Sequence, residues 1–374
     1  MSDSRRSPFL SWTVIAPAIA LVLLVLTWGR HIDPVLAVVI AAVLAAAVLS
    51  AVHHAEVVAH RVGEPFGSLV LAVAVTVIEV ALIVTLMVSG GGDTDSLARD
   101  TVFAAVMITT NGIVGISLLV GALRHGMALF NPEGTGAALA TVAALSALSL
   151  ALPTFTTSAP GPEFSSTQLT FAALASLVLY LLFVSTQAGR HRDFFLPVAL
   201  PEAPRRPGQP ERPESESHAG PTTARAAYLS LVLLLVALVD VVGLAKVESH
   251  TIEDAVAAVG FPQSFVGVII ALLVLAPETL AAVRAAHRHR VQISLNLAYG
   301  SAMASIGLTI PAIAVATVWL KGPLLLGLGA TQLVLLGLTV VVSILTVVPG
   351  RATRLQGGVH LVLLAAFVFL AINP

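Results

Sequence analysis

Eleven apolar stretches, each about the length that crosses a bilayer as a helix, recur along this 374-residue chain and constrain everything else about it. They cover 10–28, 34–52, 67–89, 101–121, 135–152, 166–187, 226–245, 263–283, 293–319, 323–348 and 357–372. A helix rises about 1.5 Å per residue, so about 20 such residues span a hydrocarbon core of about 30 Å. Runs such as Leu21–Leu26 and Leu231–Val239 lack the polar alternation of a β-barrel strand. Only 10% of the residues are charged, against about 25% in soluble proteins, too few to cover two or three soluble domains. A soluble enzyme, a nucleic-acid binder and a disordered scaffold are excluded on that ground. The chain has no cysteine, hence no disulfide and no thiolate metal site. The expected fold class is an all-α polytopic membrane protein, with lipid as its surroundings.

The basic residues orient it. With the N-terminus in the cytoplasm, 15 of the 19 Lys and Arg fall inside, and only Arg30, Arg99, Lys246 and Lys321 fall outside. The outer loops are read as acidic, carrying Asp93, Asp95, Asp100, Glu248, Glu253 and Asp254. The first stretch follows Arg5 and Arg6 like a signal peptide. Its length, and the lack of a small-x-small cleavage site before Arg30, make residues 1–33 an anchor helix instead. An odd number of spans puts the C-terminus outside. A bias to Arg over Lys and to Ala points to a GC-rich bacterium and its plasma membrane.

One polar segment divides the chain. Residues 188–225 hold seven prolines, six arginines and five acids, which reads as a flexible cytoplasmic linker. Five spans precede it (34–187, after the anchor) and five follow (226–374). Their starts are offset by 192, 196, 192, 188 and 191 residues, the signature of a duplication. Five is odd, so the second copy enters from the opposite face, giving two inverted five-helix repeats. Inverted repeats place a substrate site near the midplane, where the copies meet.

Two acids stand at that level. Glu79 is the lone ionisable residue of Leu69–Val88, and Glu278 that of Val266–Val283. They are 199 residues apart, close to the repeat offset, and an acid in a spanning helix is functional by default. Pro277 breaks a backbone hydrogen bond just before Glu278, while Thr76 lies one turn before Glu79. The third span of each repeat adds Asn111 in the first and Asn296 and Ser301 in the second as supporting oxygen donors. Hard oxygen ligands suit Ca²⁺ or Na⁺, and two carboxylates neutralise one divalent ion. An empty pair binds protons rather than remain doubly charged in oil. Cation and protons then compete for the same oxygens, and that competition is an exchange mechanism needing no cofactor. A monovalent Na⁺ or K⁺ site is the alternative on the same scaffold.

At these residues the chain resembles a known family. Thr76-Val-Ile-Glu79, Ala276-Pro-Glu278-Thr and Gln292-Ile-Ser-Leu-Asn-Leu-Ala-Tyr-Gly-Ser301 are similar to the alpha-repeats of the cation/calcium exchanger superfamily. The similarity is greatest to its bacterial calcium/proton antiporters, which share a stretch like Gly63-Glu-Pro-Phe-Gly67. The resemblance spans most of 34–372. It implies that Glu79 and Glu278 coordinate the cation and carry protons, and that Asn111 and Ser301 add oxygens. The Gly-Asn pair that often precedes the family's acids is absent, and Met107 and Ala304 stand where polar residues are common. Fewer oxygens leave Na⁺ and K⁺ open beside Ca²⁺.

The expected function is therefore proton-driven export of a cytoplasmic cation. The competing classes are an intramembrane acid-dyad enzyme, which would not need matching acids in matching helices, and a channel, for which no continuous polar lining is present. No phosphate-binding loop points to ATP. Glu64, at the entry to the third span, and Asp240, in the seventh, are candidate stations on the ion path. His53, His54, His60, His287 and His289 read as solvated loop residues, and Trp12, Trp28 and Trp319 as interfacial belts.

Overall fold

The computed structural model describes residues 11–30, 32–63, 66–89, 95–198, 223–319 and 322–374. Its helices are α1 (Trp12–Thr27), α2 (Pro34–Val62), α3 (Phe66–Ser89), α4 (Leu97–Met107), α5 (Val114–His125), α6 (Pro132–Ser146), α7 (Ser166–Ala188), α8 (Ala224–Ala258), α9 (Phe265–His287), α10 (Val291–Ala316), α11 (Ala330–Val347) and α12 (Arg354–Ile372). A π-helical turn, Ile108–Ile113, joins α4 and α5 into one path. Among the described residues ten helical paths are long and apolar enough to cross a membrane, and α1, with 16 residues, is shorter. The helical membrane-protein architecture expected from the sequence is observed, nearly all of it helix, with ten full-length spans and the shorter α1 where eleven spans were expected.

Local signals start several of these helices. Asp33 accepts hydrogen bonds from the Val35 and Leu36 N–H groups at 3.0 Å, with Pro34 at the first helical position. Asn131 caps α6 in the same way, and Ser165 and Thr353 open α7 and α12 with capping boxes.

The face where α7 ends and α8 begins is termed the linker face. There β1 (Ala128–Leu129), between α5 and α6, pairs antiparallel with β2 (Arg351–Ala352), between α11 and α12. At the opposite face the α6–α7 and α10–α11 connections meet: Glu163 bridges Leu325, and the Leu328 N–H donates to the Leu150 carbonyl at 2.9 Å. Exchanging the repeats maps one junction onto the other. The same exchange maps α5 against α12 onto α10 against α7, and both contacts are close. A Cβ at Gly357 would lie 2.6 Å from the Leu119 nitrogen, and one at Gly307 would lie 2.7 Å from the Tyr180 Cβ. The inversion is thus visible in the packing as well as in the spacing.

Two apolar clusters fill the interior. One gathers residues of α4 to α7 and α9 to α12. The other joins α1, α2 and α8 into a panel. Helices α3 and α9 contribute to both: Ile83 and Leu275 face the larger cluster, Ile78 and Val274 the panel. The two helices that carry the glutamates therefore lie along the seam between two bodies.

The structure corrects four expectations. Helix α8 does not stop near 245 but runs to Ala258, so Glu248 and Glu253 are buried helix residues rather than outer-loop acids. Hydropathy ends where polarity begins, whereas a helix continues as long as one face stays packed. Helix α2 likewise runs to Val62, carrying the histidines read as loop residues; His54 is buried, its Nε2 2.9 Å from the Thr13 carbonyl and its Nδ1 3.2 Å from the Ser230 hydroxyl. Asp100 is buried at the start of α4, paired with Arg99. The linker begins docked, with Arg192–Phe195 forming a 3-10 turn whose Phe195 ring is buried edge-to-face on Phe183.

Candidate cation site

A cavity of about 220 Å³ lies between α3, α7, α9 and α10, and both Glu79 and Glu278 line it. Its wall on α3 runs from Leu71 through Thr76 to Glu79, and on α10 from Ile293 to Ser305. Both stretches lie between the linker-face ends of their helices and the glutamates, with Gln187 near the same end of α7. The cavity therefore occupies the linker-face half of the protein and reaches inward to the acid pair. Beyond the pair, toward the opposite face, α4 packs tightly on α9. A Cβ at Gly267 would lie 2.8 Å from the Thr101 nitrogen, so only glycine permits this approach.

The two carboxyl groups differ in their surroundings. Glu79, 4% exposed, accepts a 2.5 Å hydrogen bond at Oε1 from the Ser305 hydroxyl of the other repeat. Glu278 is also buried, one residue past Pro277, and its Oε2 has no hydrogen-bond partner among the described residues. A buried carboxyl oxygen without a donor can accept a proton or coordinate a cation.

Of the other expected residues, Thr76 and Ser301 line the same cavity. Asn296 lines it too, but its amide is engaged: Nδ2 donates to the Phe195 carbonyl at 2.7 Å, and Oδ1 accepts from Gln292 at 2.9 Å. Asn111 does not reach the cavity. Seated in the π-helical turn, its Nδ2 donates to the Thr339 hydroxyl at 2.9 Å, and its Oδ1 lies 3.1 Å from His360 Nδ1. Asp240 is buried on α8, outside the cavity lining. Glu64 lies outside the described residues. From the sequence Ser305 is one of the small polar residues of this span, and its position one turn beyond Ser301 on the same face of α10 joins it to the cavity; Gln187 lines the cavity with no such signal.

With the geometry in view, comparison with known proteins settles the family. The profile of the sodium/calcium exchanger protein family matches residues 32–189 and 229–373. The chain belongs to that family. It is 42% identical to the putative ionic transporter y4hA of Sinorhizobium fredii, covering 99% of this chain and 98% of that one. It is 33% identical to the sodium-potassium/proton antiporter ChaA of Escherichia coli, covering 95% of this chain and 94% of that one. Among solved structures, native YfkE superposes with a TM-score of 0.69 over 97% of this chain and 99% of the other, at 15% identity. The H⁺/Ca²⁺ exchanger CAX superposes with a TM-score of 0.68 over 96% of this chain and 87% of the other, also at 15% identity. These structural likenesses speak for the shared fold. The chain is an ion exchanger by family and not an enzyme.

Proposed function

We propose that the protein is a secondary antiporter in which Glu79 and Glu278 alternately bind a transported cation and protons. The observation that carries this reading is the pair itself: two buried acids on inverted, equivalent helices, lining one cavity at the seam of two bodies. A doubly ionised pair deep in a protein within a membrane is costly to move, whereas a neutral load is not. Neutrality is reached in two ways. One Ca²⁺ balances both carboxylates, and its exchange partner is two protons. One Na⁺ or K⁺ balances one carboxylate while the other keeps a proton, and its exchange partner is a single proton.

Ca²⁺ is supported by the charge of the pair and by the oxygens of Thr76, Ser301 and Ser305 around it. Monovalent exchange is the second reading, supported by Asn111 being turned away, which thins the donor set. The name of the E. coli relative supports it as well. The membrane is a bacterial plasma membrane by this reading, with the linker face cytoplasmic and the C-terminus outside. The cavity then opens to the cytoplasm, the side from which an exported cation is collected. The two five-helix units span 34–187 and 226–374.

Purified protein in vesicles loaded with a pH-sensitive dye tests this. Addition of Ca²⁺, Na⁺ or K⁺ is expected to move protons in the opposite direction to the cation, and Glu79→Gln or Glu278→Gln to abolish the response. Flux that survives in both variants would overturn the assignment.

A further inference from the structure

Beyond the glutamate pair, the described residues hold two more buried acids whose oxygens lack partners. Asp240, on α8, is 0% exposed, and neither of its carboxyl oxygens makes a hydrogen bond. Glu248, about two turns further along the same helix, is 2% exposed with Oε1 unpartnered. Lys246, between them, is turned to the Trp28 ring, 5.2 Å from its centroid.

The helices packed on α8 supply little to ionise against. Helix α1 has no titratable residue, α3 has Glu79 and α9 has Glu278. His53, His54, Glu56, His60 and Arg61 on α2, and Arg284 and His287 on α9, sit toward the linker-face ends of their helices. Among the described residues neither Asp240 oxygen nor Glu248 Oε1 has a hydrogen-bond partner, and a carboxyl oxygen so placed costs less protonated than charged, so these two groups suit protons.

Their place in the fold gives them a direction. Helix α8 runs from the linker face to the opposite face, with Asp240 at its middle and Glu248 well beyond, so the two acids mark the stretch from mid-helix outward. That is the half of the molecule the cavity does not enter. At its far end Glu253 and Asp100 line a small pocket between the ends of α3, α4, α8 and α9. We propose that Asp240 and Glu248 pass protons between the glutamate pair and the opposite face, by a route separate from the cavity that admits the cation. The proposal rests on Glu79 and Glu278 being the antiport site.

The test uses the full-length protein in vesicles as wild type, Asp240→Asn and Glu248→Gln. Isotopic Ca²⁺ or Na⁺ exchange at equal pH on both sides needs no net proton movement and is expected within about twofold of wild type, whereas cation uptake driven by a pH difference falls about tenfold or more. Equal loss of both activities in variants that keep the wild-type melting temperature would place Asp240 in the cation site and overturn the relay. Wild-type rates in both assays would overturn it as well. Infrared spectra of the detergent-purified proteins give a readout independent of transport. A protonated-carboxyl band present in wild type and diminished in each variant supports the two proton sites, and an unchanged band contradicts them. If wild-type vesicles moved no protons at all, the antiport reading would fall, while the infrared result would still decide whether the α8 acids hold protons.

Discussion

Glu79 owes its chemistry to the residues that enclose it as much as to its own carboxyl. Ser305, arriving from the other repeat, donates to it, so the surroundings of the carboxyl are built by both repeats. A hydrogen bond to a charged group contributes about 1.5–3 kcal/mol, and each 1.4 kcal/mol is about tenfold in affinity. Ser305→Ala is therefore expected to raise the cation concentration for half-maximal proton movement about tenfold, read in the dye-loaded vesicles. An unchanged half-maximal concentration would show that the hydroxyl is idle. His360→Ala removes the partner of the Asn111 carbonyl oxygen inside a fully buried cluster, and leaving that group unsatisfied costs about 1–3 kcal/mol. The melting temperature of the purified variant should fall accordingly. Both glutamates were legible in the sequence because each is a single acid in an otherwise apolar run. The Ser305 contact was not, since nothing in one sequence states which turn of α10 meets α3. Nor was the direction of Asn111, which the π-helical turn and the polar faces of α11 and α12 decide together.

Among the elements, close helix approach makes glycine placement a sharp test. Gly357 on α12 sits against the α5 backbone, where a Cβ would come within 2.9 Å of the Gly115 carbonyl oxygen, while the adjacent Gly358 has open space around it. Gly357→Ala is expected to cost about 1–3 kcal/mol through overpacking. Gly358→Ala should be neutral or stabilising by up to about 1 kcal/mol, because alanine is the better helix former. Thermal unfolding of the two variants side by side checks this, and equal behaviour would deny the tight α5–α12 contact. The ten longer spans were readable from apolar length alone. Their true ends were not: α8 extends past its apolar run because Glu248 and Ser249 are buried against neighbouring helices, and burial of polar residues leaves no trace in hydropathy. The linker was read as wholly flexible for the same reason. Phe195, one of two adjacent phenylalanines in a proline-rich tract, docks on Phe183, a contact that composition cannot reveal.

For the whole molecule, the proposed neutral-load rule becomes transport if the two bodies move against each other. Rocking the α1–α2–α8 panel against the larger body would shift the α3–α9 seam, closing the linker-face cavity and parting α4 from α9 beyond the glutamates. Because each load the proposed mechanism permits is neutral, the exchange rate should not respond to an imposed membrane potential. Vesicles clamped at different potentials would show this, and a rate that changes steeply with voltage would refute the rule. The inversion itself was legible in the regular offsets, since each repeat keeps its spacing. Which face the cavity opens to was not, because both conformations of an exchanger share one sequence. The most direct measurement is the number of protons released when the purified protein binds its cation in detergent. About two protons per Ca²⁺, or about one per Na⁺ or K⁺, are expected from wild type, and none from the Glu79→Gln, Glu278→Gln double variant. Cation binding without proton release, or release that persists in the double variant, would contradict the account.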